Sequence, residues 1–126
     1  EKKMKTLKIF HDHDGGVDDY ISLLLLLSQT KTMREKRQHA DSTTASTAPI
    51  ADDVLVDLIG VSVTPADCYG EPAADATLRL LDVTENSHVP VALGTLLGET
   101  EFPADWRLDA FKVAMFPVLH QPRHKQ

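Results

Sequence analysis

Between a short apolar run and a block of five leucines, Leu23 to Leu27, the chain reads His11-Asp12-His13-Asp14-Gly15-Gly16-Val17-Asp18-Asp19. Four carboxylates fall within these residues, and each resists ionising beside the others. The Gly-Gly pair breaks any strand that leads into it and permits backbone angles closed to other residues. The segment therefore predicts a strand, a tight acidic turn and a buried apolar element in succession. Four acids so close together call for positive charge among them, and the natural candidate is a hard divalent cation with oxygen ligands.

The rest of the composition narrows the field. A chain of 126 residues has room for one domain with a modest core. A formal net charge of −6 and a pI near 5.4 argue against non-specific nucleic-acid binding, which needs clustered Lys and Arg. Cys68 is the single cysteine, so neither an internal disulfide nor a Cys-rich zinc site is expected, and a reducing, cytoplasmic compartment fits. The leucine block is far too short to span a bilayer, and Lys2-Lys3-Met4-Lys5 leads into a strand-like run instead of a secretory h-region. No membrane partner is expected.

Along the chain, Thr6 to Phe10 reads as a strand, and a helix starts near Asp18 and carries Ile21 and the leucines. Five consecutive leucines form no stripe, which predicts a helix buried on more than one side. Residues 28–53 change character: Thr30 to Arg37 is polar and basic, and Asp41 to Ala48 is a Ser/Thr/Ala tract without a large apolar residue. That composition predicts an exposed, disordered insertion. Leu55 to Val63 reads as a buried parallel strand ending in the turn Thr64-Pro65-Ala66-Asp67. Glu71 to Leu81 predicts a helix with Pro72 in its first turn and an apolar side of Ala73, Ala76 and Leu80 or Leu81. Val89 to Leu93 predicts a third strand, followed by an irregular region with Phe102, Pro103 and Trp106, an apolar stretch from Phe111 to Leu119, and a frayed tail at Arg123 to Gln126.

The order β-α-β-α-β is that of an α/β fold, a Rossmann-like parallel sheet with flanking helices that ends after about three strands. In such sheets ligands bind outside the carboxyl ends of the strands. Asp12 and Asp14 follow the first strand and Asp67 follows the second, so topology predicts one shared rim. A cation held there would acidify a water, and a neighbouring carboxylate could act as general base, which makes the expected chemistry hydrolytic.

Three motif readings compete for the acidic turn. An EF-hand loop fails, because Gly16 stands at its third ligand position and Leu23 where the closing Glu belongs. A dehalogenase-type phosphatase is the second, with Asp12-His13-Asp14-Gly15 as its Asp-x-Asp-Gly and Asp12 as nucleophile. Gly16 replaces the Thr of that motif, and Asp18-Asp19 has no role in it. The third reading fits best. The pattern Asp-x-Asp-x-Gly-x-Asp-Asp before an apolar helix resembles the N-terminal signature of the inosine-uridine preferring nucleoside hydrolase family. Gly60-Val61-Ser62-Val63-Thr64-Pro65-Ala66-Asp67, the helix at Glu71-Pro72-Ala73 and the strand at His88-Val89-Pro90-Val91 continue the resemblance in order, and Trp106-Arg107-Leu108-Asp109 does so more weakly.

The resemblance implies that residues 1–126 form the N-terminal part of such a hydrolase domain. It implies a calcium cofactor with Asp12, Asp14 and Asp19 at the metal, Asp14 also as the catalytic general base, and Asp18 and Asp67 on the ribose. Asp67 stands where many members carry Asn. The implied reaction is hydrolysis of the N-glycosidic bond of a ribonucleoside, as in purine and pyrimidine salvage, with a homo-oligomer as the full-length form. The family's later strands, which complete its site, have no counterpart in these residues, so an incomplete or inactive fragment, or a non-enzymatic vestigial module, is the remaining alternative.

Other chemically tempting residues have plainer roles. Alternation places His11 and His13 on the face opposite Asp12 and Asp14, which predicts packing or hydrogen bonding over metal binding. Cys68 has nothing nearby to lower its pKa and is expected as a small buried residue. Trp106 is expected to anchor its loop in preference to stacking on a base, Arg34 to Arg37 to be a solvated charge run, and His120 and His124 to be tail residues.

Overall fold

A computed structural model of the chain describes residues 5–40, 54–95 and 102–120. Three parallel strands form its sheet: β1 (Lys5–His13), β2 (Val54–Val63) and β3 (Val91–Leu93), in spatial order β1-β2-β3. The connections are helical, α1 (Val17–Ala40) between β1 and β2 and α2 (Gly70–Val83) between β2 and β3. A short helix, α3 (Asp109–Ala114), follows, flanked by single 3-10 turns at Trp106–Leu108 and Pro117–His120. The expected α/β class and parallel sheet are present. β1 is longer than expected at both ends and β3 shorter.

β2 earns its central place through its run of Val, Leu and Ile, which leaves Leu58, Val61 and Val63 buried. The core forms between this strand and the inner faces of the helices: Tyr20, Leu23 and Leu27 from α1, Ala76, Leu80 and Leu81 from α2, and Val113 and Leu119 from the C-terminal turns. A second cluster of Val63, Cys68, Ala73 and Ala110 sits directly beneath the acidic rim.

Leu58 and Val61 lie three apart yet both face the core, because the pairing with β1 slips by one residue. Ile9 stands opposite Leu58 and Phe10 opposite Gly60, leaving Ile59 as the unpaired residue of a β-bulge. Beyond the bulge Asp12 stands opposite Ser62.

Two expectations need correction. Residues 28–40, assigned to a disordered insertion, continue α1 to Ala40, while 41–53 lie outside the described residues. The segment from Thr32 to Ala40 is polar, but Met, Arg, Glu, Lys and Gln are good helix formers, and extending an existing helix needs no new nucleus. The leucine block is also buried on one side only: Leu23 and Leu27 are inside, while Ile21, Leu24 and Leu25 are 54, 42 and 62% exposed. The tail from Arg123 lies outside the described residues, as do the side chains of Arg34 to Arg37. No helix among the described residues is long and apolar enough to cross a membrane.

Candidate functional site

The acidic turn closes between the end of β1 and the start of α1. Gly15 has φ +93°, in the region that favours glycine, and a Cβ there would stand 2.7 Å from the Cβ of Ala73 and 3.0 Å from that of Cys68. The turn is therefore pressed onto α2 and the β2–α2 loop so closely that only glycine fits. The Cys68 thiol donates to the Gly15 carbonyl (3.0 Å) from below. Asp19 and Tyr20 N–H groups return to the Gly16 carbonyl (3.2 and 3.5 Å), which starts α1.

His13 holds this turn from within. Its Nδ1 accepts from the Gly15 N–H (3.1 Å), so the neutral ring carries its proton on Nε2 and donates to Thr77 Oγ1 (3.0 Å). Thr77 in turn donates to the Ala73 carbonyl (2.7 Å), which also receives the Tyr20 hydroxyl (3.3 Å). Burial, with the neighbouring His11 adding to it, lowers the His13 pKa to about 4, so the ring is neutral at pH 7. His11 stacks on it at 5.4 Å between centroids. His13 thus serves hydrogen bonding and His11 packs against it.

The carboxylates converge above this support. Asp19 Oδ2 accepts from the Asp14 and Gly16 N–H groups (3.2 Å each), and Asp14 Oδ1 and Oδ2 accept long bonds from the Gly16 and Asp67 N–H groups (3.4 Å each). The β2–α2 loop is thereby joined to the turn, and the rim inferred from topology is real. Desolvation raises the pKa of Asp19, and the Asp14 carboxyl within hydrogen-bonding reach raises it further. Asp67 is also raised, by desolvation and then by the charges of Asp14, Asp109 and Asp18. Asp109 on α3 is a member of this field that sequence reading passed over. It lies far along the chain, and only the packing of α3 against α2 brings it near.

Asp12 sits apart in function. Its Oδ1 accepts from the Ser62 hydroxyl and from Thr64 Oγ1 (3.1 Å), so one of its oxygens is engaged by the end of β2 and the residue after it. Ser62 and Thr64 were missed as site residues. The signal was present in the register of parallel strands, but it depends on the bulge.

Gly16 supplies a direct test of whether these acids suit a cation. A Cβ at Gly16 would lie 2.7 Å from Asp18 Oδ1 and 3.6 Å from both Asp19 Oδ2 and Asp67 Oδ2. Carboxylate oxygens from three residues therefore close in on the position where a side chain would otherwise stand. Donors of this kind suit a hard cation such as calcium. Among the described residues, however, no three His, Cys, Asp or Glu side chains already stand in the arrangement of a metal cage. The donor chemistry suits a hard cation.

Around the rim, Tyr69 receives the Arg107 guanidinium over its ring at 4.3 Å and the edge of Phe111 at 6.0 Å. Trp106 is 58% exposed beside Phe102, so it does not anchor its loop in the core. Cys68 is fully buried and its pKa is raised by that burial, as expected of a structural thiol.

No family model matches the chain, and no curated protein matches it. Among solved structures, the inosine-uridine preferring nucleoside hydrolase from Bacillus anthracis is similar, with 39% sequence identity and a TM-score of 0.66 over 92% of this chain. The chain spans 30% of that structure's length. The resemblance read from the acidic motif therefore holds in sequence and in fold.

Proposed function

We propose, from the premise that this chain resembles an inosine-uridine preferring nucleoside hydrolase, that its rim is the metal-binding and ribose-binding part of a calcium-dependent N-ribohydrolase site. The observation that carries this reading is the convergence of Asp18, Asp19 and Asp67 carboxylate oxygens on Gly16, whose N–H is shared by Asp14 and Asp19. Asp14 and Asp19 would hold the cation, with Asp12 supporting the cluster from its anchorage on Ser62 and Thr64. Bound calcium would supply Lewis acidity to a water and relieve the mutual repulsion of the acids.

The chain's own groups account for the remaining steps. Asp14 takes a proton from the attacking water; its two oxygens accept only long bonds from the backbone, at 3.4 Å each, beside the Asp19 carboxyl. Asp18, which is exposed, and Asp67, which is half-buried, accept hydrogen bonds from the sugar hydroxyls. As the bond to the base breaks, the sugar becomes oxocarbenium-like and cationic, and the surrounding carboxylates stabilise that charge in place. The leaving base takes the bonding electron pair and a proton from solvent, and the products are ribose and the free base. We place the activity in the cytoplasm, in nucleoside salvage.

The test is ribose release from inosine and uridine, with calcium and with chelator, alongside calorimetric titration of calcium. Calcium-dependent release that Asp14→Asn abolishes is the expected result. A chain that binds calcium without releasing ribose supports the metal site and rejects catalysis by these residues alone. A chain that does neither sinks the proposal.

A further inference from the structure

Thr77 lies fully buried on α2, and its hydroxyl bonds His13 and Ala73, not the acids of the rim. A hydroxyl carries one proton. Here it goes to the Ala73 carbonyl at 2.7 Å, so toward His13 Nε2 at 3.0 Å the same oxygen accepts. Nε2 therefore carries the ring's proton, and Nδ1 is left as the acceptor that the Gly15 N–H meets at 3.1 Å. The opposite tautomer would set two donors, Nδ1–H and the Gly15 N–H, against each other at that distance. Three consecutive amides leave the turn in two directions. The Gly15 N–H goes inward to His13, while those of Asp14 and Gly16 on either side go to Asp19 Oδ2 at 3.2 Å each. The Gly16 N–H is shared with Asp14 Oδ1 at 3.4 Å. Gly15, at φ +93° and without a Cβ, resists rotation least, so the inward bond has the most to hold.

We propose that Thr77 is a positioning residue of the rim: by fixing His13 in one tautomer it holds the Gly15 amide inward, and so sets the orientation in which Asp14 and Asp19 meet a cation. The proposal rests on the reading of these acids as a calcium site. Groups that hold a metal's ligands in place commonly tune its affinity by about ten- to a hundredfold. Valine has nearly the shape of threonine but no hydroxyl. At position 77 it leaves the Nε2 proton buried without its acceptor, a state that rotation of the ring relieves at the expense of the Gly15 bond. Thr30 provides the contrast. It is also buried, on α1, and its hydroxyl donates to the Leu26 and Val56 carbonyls (3.1 and 3.2 Å), at the end of β2 away from the rim. Loss of that hydroxyl perturbs the fold and not the acids.

Calorimetric titration of calcium into the chain tests it. Thr77→Val should weaken calcium binding by about tenfold. Thr77→Ser, which keeps the hydroxyl, should stay near the wild type, and so should Thr30→Val. In a His13→Phe background Thr77→Val should weaken binding no further, because the route through the ring is already cut. NMR of the ring nitrogens supplies a readout that needs neither variant nor calcium: His13 of the wild type should carry its proton on Nε2 and none on Nδ1. If circular dichroism shows Thr77→Val unfolded, the tautomer decides, together with His13→Phe, which should weaken binding as much. A wild type that binds no calcium overturns the calcium reading and this inference together. Calcium binding that Thr77→Val leaves unchanged, or that Thr30→Val weakens equally, overturns this inference alone. So does a proton on Nδ1, or a further loss from Thr77→Val once His13 is replaced.

Discussion

Helices α1 and α2 make the same kind of crossing between neighbouring parallel strands, yet they are covered unequally. α2 has an apolar stripe of Ala73, Ala76, Leu80 and Leu81 against the sheet and its neighbours, and α3 packs on it. α1 turns Tyr20, Leu23 and Leu27 inward and leaves Ile21, Leu24 and Leu25 outside. The acid-bearing turn sits at the N-terminus of the less covered helix. Its order comes from a polar chain, Gly15 to His13 to Thr77 to Ala73, that ties it to the better covered one. The site is thus held in place by α2 although Asp18 and Asp19 belong to α1.

Pairs of variants can break that contrast. The largest effect is expected from Leu23→Ala, which should cost about 2–5 kcal/mol in urea denaturation, while Leu25→Ala should stay within about 0.5 kcal/mol. Equal losses would show that the exposed side of α1 is covered in solution.

His13→Phe probes the tie between the two helices. It leaves the Gly15 N–H without its acceptor and should cost about 1–3 kcal/mol at pH 7. The wild type should converge on the variant in acid. The folded pKa of His13, about 4, lies below the unfolded value of 6.5, so its contribution is full above pH 6.5 and is lost as pH falls through about 4. Thermal melts across that window would measure it, and a pH-independent gap would remove His13 from the account.

Asp19→Asn should have the smallest effect on stability and the opposite sign. The folded pKa of Asp19 is raised, so its contribution is greatest below its ordinary value of 3.8 and declines as pH rises through the raised value. At neutral pH the charge is a burden, and its removal should raise the melting temperature by a few degrees without calcium. Calcium should then raise the melting temperature of the wild type and not of the variant. A wild type indifferent to calcium would show that the acids are held by the backbone alone.

Much of this plan was legible from the chain itself. The run Leu55 to Val63 could hardly be anything but a buried strand, and Gly15-Gly16 between a strand and a leucine block could hardly avoid being a turn. Placing Asp67 beside Asp14 needed only parallel topology. The length of α1 was misjudged because its second half has no apolar stripe, and helix propensity outweighed that lack. The leucines gave no clue to their exposed side, since a run without periodicity takes its orientation from neighbours that sequence does not reveal. Ser62, Thr64 and Asp109 join the rim through register and packing between distant residues, and no local pattern carries that information.

The bulge at Ile59 divides the β1–β2 pairing in two. Upstream of it, Lys5 to Ile9 pair with Val54 to Leu58; downstream, Phe10 to His13 pair with Gly60 to Val63. Were Ile59 instead to pair with Phe10 in unbroken register, Gly60 and Ser62 would face the core and Val61 and Val63 the solvent, and Asp12 would stand opposite Val61 without its hydroxyl partner. One residue thus acts as a phase shift that lets the lower sheet and the rim obey separate patterns. The pairing that seats Asp12 on Ser62 is thereby kept in a register of its own, separate from that of Lys5 to Ile9 with Val54 to Leu58.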